Sequence, residues 1–270
     1  MVRFFFVVVI FFINILSLLA FDNYASGAGS ASMGTSSVMM PNIWSAQNNQ
    51  AALAFYNKFS LGIHHENRFI VPEYGFQAVH LSVPVNFGTF AATYTYFGYK
   101  LFNDKKFGIA YSRKLFEKLA VGVQMDYIHT YIFNYGKDSK ICAEIGLFSE
   151  PVENLMIGIH GFNVLNTTNR DENFDPLPVI IRMGLGYRFG DKLIITAETE
   201  KDVEKSPVYK GGMEYNALHG LYIMTGFSSN PGQYTFGLGF VYQRIRGDLG
   251  FMSHPELDFT PHFSLSYEFN

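Results

Sequence analysis

Three things are scarce in this chain of 270 residues: cysteine, tryptophan and charge. A single cysteine, Cys142, excludes a disulfide framework and any cysteine-based metal site. Lys, Arg, Asp and Glu together make up only 16% of the residues, where soluble domains carry about 25%. The formal charge of −3 provides no basic surplus and argues against a nucleic-acid partner, which would call for a basic stripe. Helical periodicity is missing as well. From about Phe55 to the C-terminus no long segment repeats at 3.6 residues. What is abundant is aromatic: 28 Phe and 17 Tyr against the one Trp, Trp44. Few charges with many Phe, Tyr and Gly describe a protein that turns apolar surface toward something other than water.

The N-terminus reads MVR and then an apolar run from Phe4 to Ala20, broken only by Asn14 and Ser17. One positive charge before a long apolar core fits a secretory signal peptide over residues 1–20. Ala20 would then be its last residue, although Leu18 at −3 is large, and a better small-x-small match follows Gly27. An uncleaved anchor is the competing reading, because roughly 17 apolar residues approach the length of a span.

Downstream, period-two alternation recurs in stretches near ten residues. Leu119, Val121, Val123, Met125, Tyr127, His129 and Tyr131 share one face, with Ala120, Gly122, Gln124, Asp126, Ile128 and Thr130 on the other. Val179, Ile181, Met183, Leu185, Tyr187 and Phe189 alternate with Arg182, Gly184, Gly186 and Arg188. The last strand sets Phe263, Leu265, Tyr267 and Phe269 against His262, Ser264, Ser266 and Glu268. A soluble sandwich also alternates, but its outer face would be richly charged. Here the apolar faces end in aromatics and the polar faces are small and sparsely charged, the pattern of lipid-facing and lumen-facing sides of a membrane barrel. About fourteen strands are expected, beginning near Phe55, Gly75, Thr89, Phe107, Leu119, Lys140, Leu155, Pro178, Leu193, Pro207, Gly220, Gln233, Gly247 and Pro261. Turns are read at Asn103-Asp104, Gly190-Asp191, Asn230-Pro231-Gly232 and Arg246-Gly247-Asp248, and the longest connection runs from Asn163 to Pro176. The fold class is therefore all-β, a transmembrane antiparallel β-barrel over residues 54–270.

A barrel this wide cannot fill its interior with its own wall. The Gly-, Ser-, Ala- and Met-rich segment over residues 21–53 precedes the first strand and is too apolar at Met33, Met39, Met40, Ile43 and Trp44 for a free linker. It is expected to fold into the lumen as a hatch, with Met33, Gly34, Trp44, Asn48 and Asn49 as its plug residues.

The stretch GAGSASMGTSSVMM…IWSAQNNQAALAF resembles the start of FadL-superfamily barrels, in particular the PorV/PorQ branch. Met33-Gly34 matches that branch's Met-Gly pair, while Ser45-Ala46, Asn48-Asn49 and Ala51-Ala52-Leu53-Ala54 match its Asn-Pro-Ala-Gly-Leu-Ala-like turn. Gln50 stands where the family usually has Pro, and Ala52 where Gly is usual. The resemblance covers about thirty residues, together with the strand number and a C-terminal HFSLSYEFN that resembles a barrel-assembly signal. It implies a fourteen-stranded outer-membrane barrel with a hatch, in a Gram-negative bacterium of the Bacteroidetes type.

No catalytic residue, cofactor or metal site is assigned. His64-His65, His80, His129, His160 and His254 sit in no recognisable motif. His64 and His65 point to opposite faces of a strand and cannot share one ion. Arg182 and Arg188 on one strand, with Glu198 and Glu200 on the next, are expected to form a paired lumenal charge layer that holds the hatch or constricts the lumen. Asp171, Glu172 and Asp175 offer a solvated acidic loop. Pro84 and Gly211-Gly212 are candidate kinks.

Two functions remain, neither enzymatic. The resemblance and the short chain favour an accessory barrel of protein secretion or surface display, of the type IX kind. Its partners would be outer-membrane lipid and a larger secretion-system membrane protein or secreted cargo. The alternative is FadL-like passive transport of a hydrophobic small molecule. A general porin fits poorly with a hatch and few lumenal charges.

Overall fold

In the computed structural model, which describes Asn23, residues 25–166 and residues 176–269, fourteen antiparallel strands close into one barrel. They are β1 (Ser60–Asn67), β2 (Gly75–Val85), β3 (Gly88–Gly98), β4 (Phe102–Phe116), β5 (Leu119–Ile132), β6 (Gly136–Ser149) and β7 (Leu155–Phe162). The second half comprises β8 (Ile180–Phe189), β9 (Leu193–Asp202), β10 (Val208–Leu218), β11 (Leu221–Ser229), β12 (Gly232–Tyr242), β13 (Ile245–Met252) and β14 (Thr260–Glu268). Each strand pairs with its neighbours in the chain, and β14 returns to β1 with Ser60 opposite Glu268 and Glu66 opposite His262. Closure removes both free edges, which is how strands satisfy their backbone in lipid. The signal-peptide segment and the Asp171, Glu172 and Asp175 loop lie outside the described residues.

Alternation places the side chains as the sequence pattern requires. On β8, Ile181, Met183, Leu185 and Tyr187 are exposed while Arg182, Gly184 and Gly186 are buried. On β12, Tyr234, Phe236, Leu238 and Phe240 face out and Thr235, Gly237 and Gly239 face in. The protein is thus turned inside out relative to a soluble domain: its large apolar side chains form the exterior and its charges the interior. Fully burying one such side chain is worth about 1.5–3 kcal/mol, so this surface is stable only where hydrocarbon covers it. One rim carries the short connections, such as 86–87, 117–118 and 243–244, together with the start of β1 and the end of β14. The other carries 68–74, 253–259 and the long 163–179 connection. We call the first the short-turn rim and the second the long-loop rim.

Four local expectations change. The first strand starts at Ser60 rather than Phe55, because Leu53–Tyr56 form a helical turn that ends at Asn57 in the left-handed conformation (φ 42°). Asn103 and Asp104 lie inside β4. The turn is upstream, where Tyr99 N–H donates to Phe102 O at 2.7 Å. Arg246, Gly247 and Asp248 lie inside β13, since the chain reverses at Gln243 (φ 54°), and both charged residues therefore stand on the lumenal face. Pro84 is paired opposite Thr89 with no shift of register, and Gly211-Gly212 stay in regular ladders. The irregularities fall instead at Lys114/Phe116 and Asn216/Leu218.

Residues 25–57 form the hatch. It contains α1 (Ala28–Ser32), α2 (Ser45–Asn48), a 3-10 turn over Gln50–Ala52 and α3 (Leu53–Tyr56). Isolated helices this short do not hold in water. Here the 3-10 turn is capped by Asn49 Oδ1, which accepts from Ala51 N (3.2 Å), while Ser32 Oγ donates back to Ala28 O (2.7 Å) and Ser45 Oγ donates to Met40 O (2.6 Å). Ala28, Val38, Met39, Ala46, Ala51, Ala52 and Leu53 are all fully buried inside the barrel.

Candidate functional site: the hatch and the lumen

The hatch sits against the wall where the wall has no side chain. A Cβ at Gly122 would strike Ala51 N, and one at Gly146 would strike Asn49 Oδ1. One at Gly158 would meet Val38 O, and one at Gly226 would meet Gly34 N. The lumen-facing glycines thus leave the space that the hatch backbone fills. Gly34 itself has φ 66°, and its N–H donates to Thr235 Oγ1 (2.9 Å), whose hydroxyl donates on to Ser32 O (2.8 Å). Met33 is 2% exposed and packs on Gly212, while Met39 fills the space over Gly184 and Gly186.

The two asparagines act as clamps. Asn49 Nδ2 donates to Val38 O (2.8 Å) within the hatch and to Leu147 O (3.0 Å) on the wall. Asn48 ties the hatch to itself: its Oδ1 accepts from Ser26 N (2.9 Å) and its Nδ2 donates to Ser26 O (3.0 Å). Trp44 is 4% exposed, edge-on to His64 (6.0 Å) and His80 (5.5 Å). All five expected plug residues therefore lie in the lumen.

The charge layer exists but is wired differently from the expectation. Arg182 is 2% exposed, and its Nη2 donates to Asn48 O (2.9 Å) and to His160 Nδ1 (3.0 Å). Among the described residues it forms no ion pair with Glu198 or Glu200. The ladder sets Glu200 opposite Arg182, yet the guanidinium extends to the hatch carbonyl. Glu198 instead receives two hatch amides on one oxygen, Ser37 N (2.7 Å) and Val38 N (2.9 Å). Lys210 completes this group, 3.4 Å from Glu198 and 2.7 Å from Glu200. Arg188 stands at the short-turn rim beside Glu150 (3.3 Å).

A second buried network was not read from the sequence. Lys106 Nζ lies 2.9 Å from Glu144 Oε1 and 3.0 Å from Asn23 Oδ1, with Asp126 at 3.8 Å and the Phe162 ring at 5.4 Å. His160 Nε2 lies 2.8 Å from Glu144 Oε2. Because a guanidinium only donates, Nδ1 of His160 accepts from Arg182 and Nε2–H donates to Glu144. Gln50 Nε2 donates into the same centre, to Gln124 Oε1 (3.2 Å) and Glu144 Oε2. A proline at this position would supply no such donor. The signal for this network lay in the alternation: Lys106, Gly108, Ala110 and Ser112 share one face of β4, next to Gln124 and Asp126 on β5 and Glu144 on β6. A third group, Arg246 with Glu214 (2.6 Å) and Asp248 (2.9 Å), was hidden by the misplaced turn.

Among the described residues, cavities remain between hatch and wall. One of about 530 Å³ opens at the short-turn rim and is lined by Trp44, Tyr56, Glu214 and Arg246. Another, about 340 Å³, lies toward the long-loop rim beside Glu66, Arg68, Lys210 and His262. The histidines separate. His129 contacts Ser139 and His254 accepts from the Glu256 and Leu257 amides, both on the surface. His65 alternates outward, while His64 is buried with Glu66 and His262.

The wall is least regular between β6 and β7. Their ladder covers only Ile145–Ser149 against Ile157–Gly161. Beyond it Asn163 (φ 54°) turns the chain inward, and Val164 N–H rejoins Ala143 O at 3.1 Å. Phe162 and Asn163 are both fully buried, breaking the alternation. Behind this stretch Phe162 packs with Ile128, Cys142, Leu177 and Ile180, an apolar cluster inside the lumen.

No protein-family model and no curated protein matches the sequence. Solved structures do match in fold. The chain is similar to the toluene transporter TbuX of Ralstonia pickettii, with TM-score 0.72 and 10% identity over 91% of this chain and 98% of that one. It is similar to the CymD monoaromatic hydrocarbon channel at TM-score 0.69 and 13% identity, covering 90% and 97% of the two chains. A FadL homologue of Pseudomonas aeruginosa aligns at TM-score 0.63 and 12% identity over 91% and 98%. At these identities the likeness shows the fold: a closed fourteen-stranded antiparallel barrel of the FadL type.

Proposed function

We propose that the protein is an outer-membrane channel of a Gram-negative bacterium that passes a hydrophobic small molecule passively, without chemistry on it. The observation that carries this reading is the apolar lumenal cluster of Ile128, Cys142, Phe162, Leu177 and Ile180 directly behind the shortened β6–β7 ladder. An apolar solute gains there what a hydrated ion does not, and the hatch below denies ions a water-filled path. The fold neighbours named for hydrocarbons and toluene support the same class of solute. The accessory role in secretion draws on Met33-Gly34 and Asn48-Asn49, but the seating of the hatch accounts for those residues in either class.

The test is purification from native outer membrane in mild detergent, with mass spectrometry of bound small molecules and of co-purifying protein. The proposal expects a barrel carrying apolar molecules at near-stoichiometric level, lost in a Leu177→Glu variant that remains folded. A stoichiometric large membrane protein or secreted cargo, with no apolar molecule bound, would support the PorV/PorQ-like role instead.

A further inference from the structure

The seam that closes the barrel carries an unexplained cluster. His64 and Glu66 lie two residues apart on β1 and so share its lumenal face. The β1–β14 register sets Glu66 opposite His262 and His64 opposite Ser264, so His262 stands across from Glu66 and diagonal to His64. One nitrogen of each imidazole and one carboxylate oxygen lie within 4.8 Å of one another, with His262 Nδ1 3.5 Å from Glu66 Oε2 and the two rings stacked at 5.8 Å. His64, Glu66 and His262 are 3%, 4% and 5% exposed. Both ring nitrogens of His64 and both of His262 lack a hydrogen-bond partner. Among the described residues none gives these buried ring nitrogens a hydrogen bond, and the group nearest to one of them is the Glu66 carboxylate itself.

We propose that His64, Glu66 and His262 bind a divalent transition-metal ion of the zinc type. Two imidazoles and one carboxylate are a donor set that zinc accepts, with bonds of about 2.0–2.2 Å. Ligand atoms around such an ion stand about 3.4 Å apart, so the Glu66–His262 pair at 3.5 Å is already in place, and the His64 nitrogen lies within 4.8 Å of both. Arg68 pairs with the other oxygen, Oε1 of Glu66. That bond orients the carboxylate and leaves Oε2 aimed at His262, the usual task of an outer-shell partner. The adjoining cavity, lined by Glu66 and His262, supplies water for the fourth position and a route from outside. The ion would staple the first strand to the last. It would also stand next to the hatch, through the Trp44 edge on His64.

Alternation sets His64 and His65 on opposite faces of β1 and puts His262 on the polar face of the last strand, but only strand closure brings residues 64 and 262 together.

Trp44 is the only tryptophan in the chain, which makes the test direct. The full-length folded barrel in detergent is titrated with Co²⁺ while Trp44 fluorescence is followed, and Zn²⁺ is then added. The proposal expects quenching that saturates at one equivalent and is reversed by Zn²⁺, with visible d–d absorption of low-coordinate cobalt. His262→Gln and Glu66→Gln should each weaken Zn²⁺ binding by at least 10–100-fold, the loss seen even for outer-shell changes. His129→Gln, at the surface, should change nothing. No saturable quenching in the wild-type barrel overturns the proposal without reference to any variant. Unchanged Zn²⁺ affinity in a folded His262→Gln barrel overturns it equally.

Discussion

The Glu198→Ala substitution removes the bond on which the middle of the hatch depends. One carboxylate oxygen accepts from Ser37 N at 2.7 Å and Val38 N at 2.9 Å, and the Glu198 side chain is fully enclosed. Without it, two buried amides lose their acceptor, at about 1–3 kcal/mol each. The hatch around Met33–Met40 should therefore open more easily by about 2–6 kcal/mol, which is a factor of about 30 to 10⁴ in its opening equilibrium at about 1.4 kcal/mol per tenfold. Glu198→Gln retains an oxygen but loses the charge. Bonds to charged groups are worth about 1.5–3 kcal/mol against about 0.5–1.5 for neutral ones, so it should fall between wild type and Ala. Glu200→Ala is the control, because that carboxylate meets Lys210 and not the hatch. The assay is amide hydrogen exchange by mass spectrometry on the barrel in nanodiscs, read on peptides covering Ser37 and Val38. The expected order of exchange is Ala fastest, then Gln, then wild type with Glu200→Ala. Equal protection at Ser37 and Val38 in wild type and Glu198→Ala would refute the view that this carboxylate holds the hatch.

Lys106→Met should loosen the hatch near Asn23 and Gln50 by about 3–5 kcal/mol, the usual cost of leaving a buried charge unpaired; the same exchange experiment on those peptides checks it. Asn49→Ala removes donors to Val38 O and Leu147 O and should cost about 2–4 kcal/mol of hatch protection, with the barrel itself still resistant to unfolding by detergent on a gel. Gly146→Leu puts a side chain where Asn49 Oδ1 sits, so it should expel the hatch and raise ion conductance in planar bilayers above that of the plugged wild type. Leu177→Glu places a charge in the apolar cluster behind β6 and β7 and should lower the content of bound apolar molecules with no change in conductance.

The barrel was legible because its signal is local and repeated. Alternation on β5, β8 and β14 comes from residues two apart, and it survives errors of a few residues in where each strand begins. The lumenal glycines at 122, 184 and 186 belong to the same polar-face pattern, although their steric purpose emerges only with the segment packed against them. Turns were less legible. Asn-Asp and Arg-Gly-Asp carry turn chemistry, yet at 103–104 and 246–248 they continue a strand because the ladder outweighs the local preference. What could not be read was pairing across the lumen. Arg182 and Glu200 are ladder neighbours, but a hatch carbonyl 134 positions away takes the guanidinium. Lys106, Glu144 and His160 stand on the lumenal faces of the nearby strands β4, β6 and β7, whereas His64 and His262 become neighbours only through closure.

The most direct test of the channel reading is uptake of a labelled apolar compound by Gram-negative cells that lack their own hydrophobic channel and express this chain. The account predicts faster uptake with the wild-type barrel than with empty membrane, and a return to background in Leu177→Glu at equal surface level. Uptake at background with a folded, surface-located wild-type barrel would contradict it, and would return attention to a partner protein as the purpose of the fold.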